Sequence, residues 1–252
     1  MGLDPITFPL GPFTAFYTEV LGKNSSDTGF QSLAQYLKAN VPANSPIESV
    51  CFSNMYFNPW AALSPLSQEI GNESECSSTP LFLSFREFVL KRVQKIANIN
   101  VNRKFDPEHI NISYITRIGH LRYIDNEKEM LKEIEKQVCT GFLKRCKVSI
   151  NLYNFSKLSY WEQFQVALDS DIFIGMHGAA LTMGLYLQPY AHLIEISHPS
   201  RYGNFHFRNI AKFVNVAYHL TDGNDNLTED HIKSIVNIVK ECLKTLMDGV
   251  EK

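Results

Sequence analysis

The sequence predicts an α/β fold: a parallel, Rossmann-like sheet with helices on both faces. Three observations carry the prediction. From residue 111 onward, short β-branched and aromatic runs alternate with amphipathic segments of helical period. The connections between them are short. One of the strands, Asp171-Ile-Phe-Ile174, breaks into a glycine-bearing turn, Gly175-Met-His-Gly178, and re-enters as a helix near Ala179. Strands and helices that alternate in this way pair their strands in parallel. Right-handed crossovers then bring every strand's C-terminal end to one edge, where ligands of such sheets bind.

Taken in order, residues 1–50 are rich in Pro, Gly, Ser and Asn, with one helix predicted over 30–37. Strand-like pieces at 49–52 and 56–57 precede a polar loop. Pro80 opens a helix to about residue 96, since proline suits a first helical turn and Phe82, Phe85, Phe88, Val89 and Val93 recur at helical spacing. Residues 98–107 are polar and turn-rich and read as a linker, so the chain divides into 1–105 and 106–252. The second part predicts strands at 112–116, 147–152, 171–174, 192–196 and 215–218. Helices are predicted between them at 126–138, 160–168, 179–187 and 205–213, and a last one runs over 228–246. In that last helix Ile232, Ile235, Val236, Val239, Leu243 and Leu246 share one side.

The turn at 175–178 is the candidate site. A strand-to-helix turn leaves backbone N–H groups beside the positive end of a helix dipole, which attracts phosphate. Gly178 permits close approach of an anion, and His177 adds a side-chain donor. About twenty residues on, the strand 192–196 carries Glu195, an acid placed to bind a ribose hydroxyl. These features point to a nucleotide.

Composition narrows the partners. A formal net charge of -2 with no basic stripe argues against nucleic acid. No run of about 18 apolar residues is present to span a bilayer. The N-terminus does not read as a signal peptide, because Asp4, Pro5, Pro9 and Pro12 interrupt it. Glycosylation acceptor triplets nevertheless start at Asn24, Asn72, Asn111, Asn154 and Asn226. With five cysteines at least one is unpaired; Cys51 with Cys76 and Cys139 with Cys146 are possible pairs, buried free thiols the alternative, and Cys242 falls on the last helix. Neither the cysteines nor His192, His198, His206 and His219 show the spacing of a metal site.

Several of these pieces resemble glycosyltransferase family 61, and within it the branch that moves N-acetylglucosamine onto EGF domains. They are Ile115-Thr-Arg117 with Arg122, Asn126-Glu127, Asp171-Ile-Phe-Ile-Gly-Met-His-Gly-Ala179, Leu181-Thr182 and Ile194-Glu195-Ile196, with fainter echoes at Ser49-Val-Cys-Phe52 and Phe85-Arg-Glu-Phe-Val-Leu90. The resemblance implies a GT-B-type enzyme, with two facing Rossmann-like domains and the donor between them. It implies inverting transfer from a UDP-sugar to a protein Ser/Thr hydroxyl or a glycan, with no metal or other cofactor, in the endoplasmic reticulum or Golgi lumen. Residues 106–252 would then be the donor-binding domain and 1–105 a partial acceptor-side domain. Ala180 and Met183 depart from the family's usual Gly and His or Asn. Met183, together with the partial acceptor-side domain, motivates an alternative, an inactive module that binds UDP or a partner.

In the inverting reaction the leaving diphosphate gains charge. Without a metal, fixed donors must meet it. That role falls to Arg117, Arg122 and the turn at His177, Gly178 and Ala179, with Thr182 as a further phosphate donor and Glu195 on the ribose. Arg117 closes its strand and so reaches the ligand edge, and its planar fork suits phosphate oxygens. Asn126 and Glu127 read as a helix cap and first-turn acid. Asp169-Ser-Asp171 resembles a metal-binding Asp-x-Asp but enters its strand at the opposite edge. No general base is legible.

Overall fold

A computed structural model describes residues 78–117, 123–139 and 147–249. All of them belong to one compact unit, Pro65–Lys252. The elements are α1 (Pro80–Ala97), β1 (His109–Thr116), α2 (Glu127–Cys139), β2 (Lys147–Asn154), α3 (Tyr160–Asp169), β3 (Ile172–Met176), β4 (His192–Ser197), α4 (His206–Phe213), β5 (Ala217–Asp222) and α5 (Glu229–Asp248). Short 3-10 helices cover Phe155–Lys157, Ala179–Tyr186 and Pro199–Arg201. The predicted helix at 30–37, the strand pieces at 49–52 and 56–57, Arg122, Cys51, Cys76 and Cys146 lie outside the described residues.

The five strands pair in parallel in the order β2-β1-β3-β4-β5. The chain steps outward from β1 to β2, then crosses back over β1 to β3 and continues the other way. The order therefore reverses between β1 and β3. At such a switch point the flanking connections leave on opposite faces and open a crevice at the strands' C-terminal ends. Residues 115–117 and 175–178 meet there.

Alternate residues of each strand face the two helical layers. One layer is α2 and α5, whose Met130, Ile134, Ile235, Val239 and Leu246 pack on Ile110, Ile112, Ile172, Ile174 and Ile194. The other is aromatic. Phe155 meets Phe173 edge-on at 5.9 Å, and Phe164 lies 4.4 Å from Tyr186. Local signals agree with the ends of these helices: α3 and α5 open on capping boxes, Ser159 with Glu162 and Thr228 with His231.

Helix α1, which the sequence assigns to the first part of the chain, packs on this aromatic layer. Phe82 stacks on Phe213 at 4.8 Å, and Arg86 donates to the carbonyls of Leu185 and Leu187 at 3.1 and 2.6 Å. A division at residue 105 would cut through these contacts.

Two further expectations are corrected. The segment after β3 is a 3-10 helix of eight residues, not an α-helix. Its buried Leu181, Met183, Leu185 and Tyr186 leave little of it facing water, and it lies so close to the sheet that Leu181 comes within 3.1 Å of where a Cβ on Gly175 would stand. The tighter winding fits that narrow space. Strand β5 starts at Ala217, not residue 215, because Asn215 has φ 59 and Val216 N–H bonds the Ala211 carbonyl, closing the turn out of α4.

Candidate donor site at the sheet's switch point

Arg117 follows the last residue of β1 and turns its guanidinium onto the bend after β3. Its Nη1 donates to the His177 carbonyl at 3.0 Å. Among the described residues this is its one hydrogen bond, which leaves most of the guanidinium's donors for a ligand. Burial holds the group below its ordinary pKa, but an arginine stays charged.

Gly178 is extended, with φ 172, so no unusual backbone angle demands glycine. Space demands it: a Cβ there would stand 2.4 Å from Arg117 Nη1 and 3.0 Å from its Cζ. The glycine first makes room for the guanidinium, a function that the sequence reading gave to an approaching anion.

The backbone bonds of the bend run from His177 N–H to the Ile196 carbonyl at 2.9 Å and from Leu181 N–H to the Gly178 carbonyl at 2.9 Å. Gly178, Ala179 and Ala180 N–H take no partner among the described residues, as expected of a helix start. Arg117 and the residues of these amides border a cleft of about 160 Å³, lined also by Thr116, by Asn154 at the end of β2, by Ser156 beyond it and by Leu181, among others. A cation and the residues whose amides have no partner among the described residues thus border one volume, an arrangement suited to an anion.

The remaining candidates divide. Ala179 lines the cleft, whereas Thr182 is exposed and outside it. Met183 is buried in the core rather than facing the cleft. Arg122 is outside the described residues. His177 is 6% exposed, and its ring turns away beneath α4, edge-on to Phe207 at 4.9 Å.

Glu195 is 1% exposed, and both carboxylate oxygens are taken: Oε1 by His177 Nδ1 and Oε2 by the Tyr218 hydroxyl at 2.7 Å. It is sealed and does not line the cleft, so it is not placed to bind ribose. It holds His177, whose carbonyl in turn holds Arg117. Tyr218, which the sequence reading missed, keeps its proton: burial and the adjacent carboxylate both raise its pKa. Glu195 and Tyr218 stand two residues apart in register on neighbouring strands, and only strand pairing could reveal that.

Glu127 opens α2 as read, but its carboxylate accepts from Thr116 Oγ1 at 2.7 Å. Asn126 stands at the cap position of α2, its backbone carbonyl accepting from Glu129 and Met130 N–H at 3.0 and 3.3 Å, while its side chain clamps the loop before α5, giving to the Leu227 carbonyl and accepting from its N–H, both at 2.9 Å.

Two other places hold polar groups. A groove of about 350 Å³ between β2 and α3 is lined by Asn111, Asn151, Tyr153, Glu162, Gln165 and Asp169, among others. It is larger than the cleft but carries two acids and no cation, which disfavours a phosphate. At the other end of the strands, His192 Nδ1 and His219 Nε2 are 2.9 Å apart, with Cys242 Sγ close enough that the three atoms lie within 4.8 Å of one another. These residues could hold a metal ion, and nothing in their sequence spacing announced it. Burial lowers both histidines and pushes the Cys242 thiol up to about 12, so the trio is neutral near pH 7.

The Asp169-Ser-Asp171 sequence sits at that same edge. Asp171 is fully buried and accepts both arms of Arg103, at 2.6 and 3.0 Å, and the Asn111 N–H at 2.7 Å. It is a structural clamp.

A parallel five-stranded sheet with flanking helices and a cleft at its switch point defines an α/β unit, and comparison with known proteins gives its class. The profile described as Glycosyltransferase 61 matches residues 22–194. The chain belongs to glycosyltransferase family 61. Curated relatives include proteins named EGF domain-specific O-linked N-acetylglucosamine transferase. Those of Gallus gallus and Canis lupus familiaris are 34% and 33% identical over 123 residues, 49% of this chain and 21% of each relative. That of Drosophila melanogaster is 31% identical over 121 residues, 48% of this chain and 21% of its own length. The chain thus matches about a fifth of each relative's length. No helix among the described residues is long and apolar enough to cross a membrane.

Proposed function

We propose that the cleft seats the diphosphate of a UDP-sugar and that the chain acts in an inverting, metal-independent transfer of N-acetylglucosamine. The acceptor is a protein Ser/Thr hydroxyl, with EGF domains first in line from the relatives' names, or a glycan. The observation that carries the proposal is the Arg117 guanidinium laid against Gly178 beside three amides that have no partner among the described residues. In the reaction the acceptor oxygen bonds the anomeric carbon, the bond from that carbon to the phosphate oxygen breaks, and UDP departs with added negative charge. Fixed donors that already face that position stabilise it without reorganising.

The cleft's volume of about 160 Å³ is roughly half that of the smallest usual ligand pockets. It suits a diphosphate; the sugar and uridine must extend beyond it, as they would between two facing domains of GT-B type. Lumenal location, in the endoplasmic reticulum or Golgi, follows from the same reading, because an EGF-domain acceptor is reached there. The alternative of an inactive module is weakened at one point: Met183 is absorbed in packing and removes no polar group from the cleft.

Calorimetry with UDP, followed by donor turnover in the presence of an EGF-domain acceptor, tests the proposal. Arg117→Ala removes a charge-assisted contact of about 1.5–3 kcal/mol, so UDP binding weakens roughly tenfold or more. Unchanged affinity would remove the site. Binding without turnover would favour the inactive module.

A further inference from the structure

The glycosylation triplets are a sequence feature that the donor site leaves unused, and the fold separates those it describes. Asn111 lies inside β1, paired to β2, and its Nδ2 donates to the Asp169 carbonyl at 3.2 Å. A sugar on that nitrogen would displace this bond and meet the end of α3. Asn154 ends β2 on the wall of the donor cleft, with Oδ1 accepting from Ser156 N–H and Oγ at 3.0 and 2.7 Å. A glycan there and a nucleotide in the cleft exclude one another.

Asn226 is different. It is exposed in the loop between β5 and α5, and its side chain takes no partner among the described residues. Its loop is fixed from below: Leu227 is buried and clamped by Asn126, while Asn226 and Thr228 face solvent. Thr228 caps α5, its Oγ1 accepting from His231 N–H at 3.3 Å. Acceptor asparagines belong to surface loops, where a bulky sugar costs no packing.

We infer that Asn226 carries an N-linked glycan and that Asn111 and Asn154 do not. The inference rests on the lumenal reading above. The donor is a lipid-pyrophosphate-linked oligosaccharide presented by the host's oligosaccharyltransferase. Asn226 Nδ2 bonds the sugar's anomeric carbon, the bond from that carbon to the pyrophosphate oxygen breaks, the lipid pyrophosphate leaves, and the amide nitrogen gives up one proton.

The full chain, given a cleavable secretion leader, is expressed in cultured animal cells. The secreted, monodisperse fraction is treated with an amide-cleaving glycosidase in heavy-oxygen water and mapped by mass spectrometry. The expected result is a heavy-oxygen tag at Asn226 and none at Asn111 or Asn154. Asn226→Gln should remove one glycan-sized step in gel mobility while leaving UDP affinity unchanged. An untagged Asn226, or a tag at Asn111 or Asn154 in the folded fraction, overturns the assignment. The leader forces entry into the lumen, so the outcomes at Asn226 and Asn111 judge the acceptor sites alone, whereas a tag at Asn154 also counts against the donor cleft. The lumenal reading is judged apart from them, by where the chain without the added leader resides in cells.

Discussion

Gly178→Ala is the substitution whose consequence the geometry defines most closely. The backbone at Gly178 is extended, so alanine meets no conformational penalty. Its Cβ would stand 2.4 Å from Arg117 Nη1, against 3.4 Å for an ordinary contact, so the guanidinium must retreat by about 1 Å. That retreat breaks the 3.0 Å bond to the His177 carbonyl. The donor of that bond is charged and only part-buried, so its loss costs the fold about 1.5 kcal/mol, the low end for a charge-assisted bond, while a phosphate contact is worth about 1.5–3 kcal/mol. UDP binding should therefore fall roughly tenfold or more, with only a small drop in melting temperature. The assay is calorimetry with UDP on Gly178→Ala, Arg117→Ala and the double variant, with a thermal melt of each. If Gly178→Ala acts by moving Arg117, the double variant binds no worse than Arg117→Ala alone. Wild-type affinity in Gly178→Ala, or strictly additive losses in the double variant, would refute the reasoning.

Three further outcomes follow from buried groups. Tyr218→Phe leaves one oxygen of the sealed Glu195 carboxylate without a partner, which costs about 1–3 kcal/mol, read as a lowered urea midpoint. Arg103→Ala strands the buried Asp171 charge, which costs about 3–5 kcal/mol; at the far edge of the sheet, it should lower the urea midpoint in that proportion while UDP affinity of the folded protein stays unchanged. His192 is lowered from 6.5 to about 4 by burial and by His219, so the unfolded chain binds the extra proton in that interval. Stability is then fully present above pH 6.5 and lost as pH falls toward 4, by on the order of 2–3 kcal/mol. Urea titrations across that range should show a shallower pH slope in His192→Gln than in wild type.

The sheet was legible because short β-branched and aromatic runs and amphipathic segments of helical period obey local rules. Its strand order required only that β3 return past β1. Arg117 and the bend at His177 and Gly178 were legible for the same reason: both stand at C-terminal strand ends, and parallel pairing brings such ends to one edge. What stayed hidden depends on side chains that meet across strands. Glu195 looked like an acid placed to bind ribose, yet its carboxylate is enclosed between His177, in the bend after β3, and Tyr218 on β5. His192, His219 and Cys242 meet only because α5 lies over β4 and β5. The 3-10 winding after β3 escaped because it answers to the space above Gly175 and not to helix propensity.

A crystal structure with UDP bound would test the central claim most directly. The account predicts diphosphate oxygens at about 2.7–3.2 Å from the amides of Gly178, Ala179 or Ala180, with the Arg117 guanidinium in contact. UDP in the acidic groove between β2 and α3, or a diphosphate with no contact to Arg117 or those amides, would contradict it.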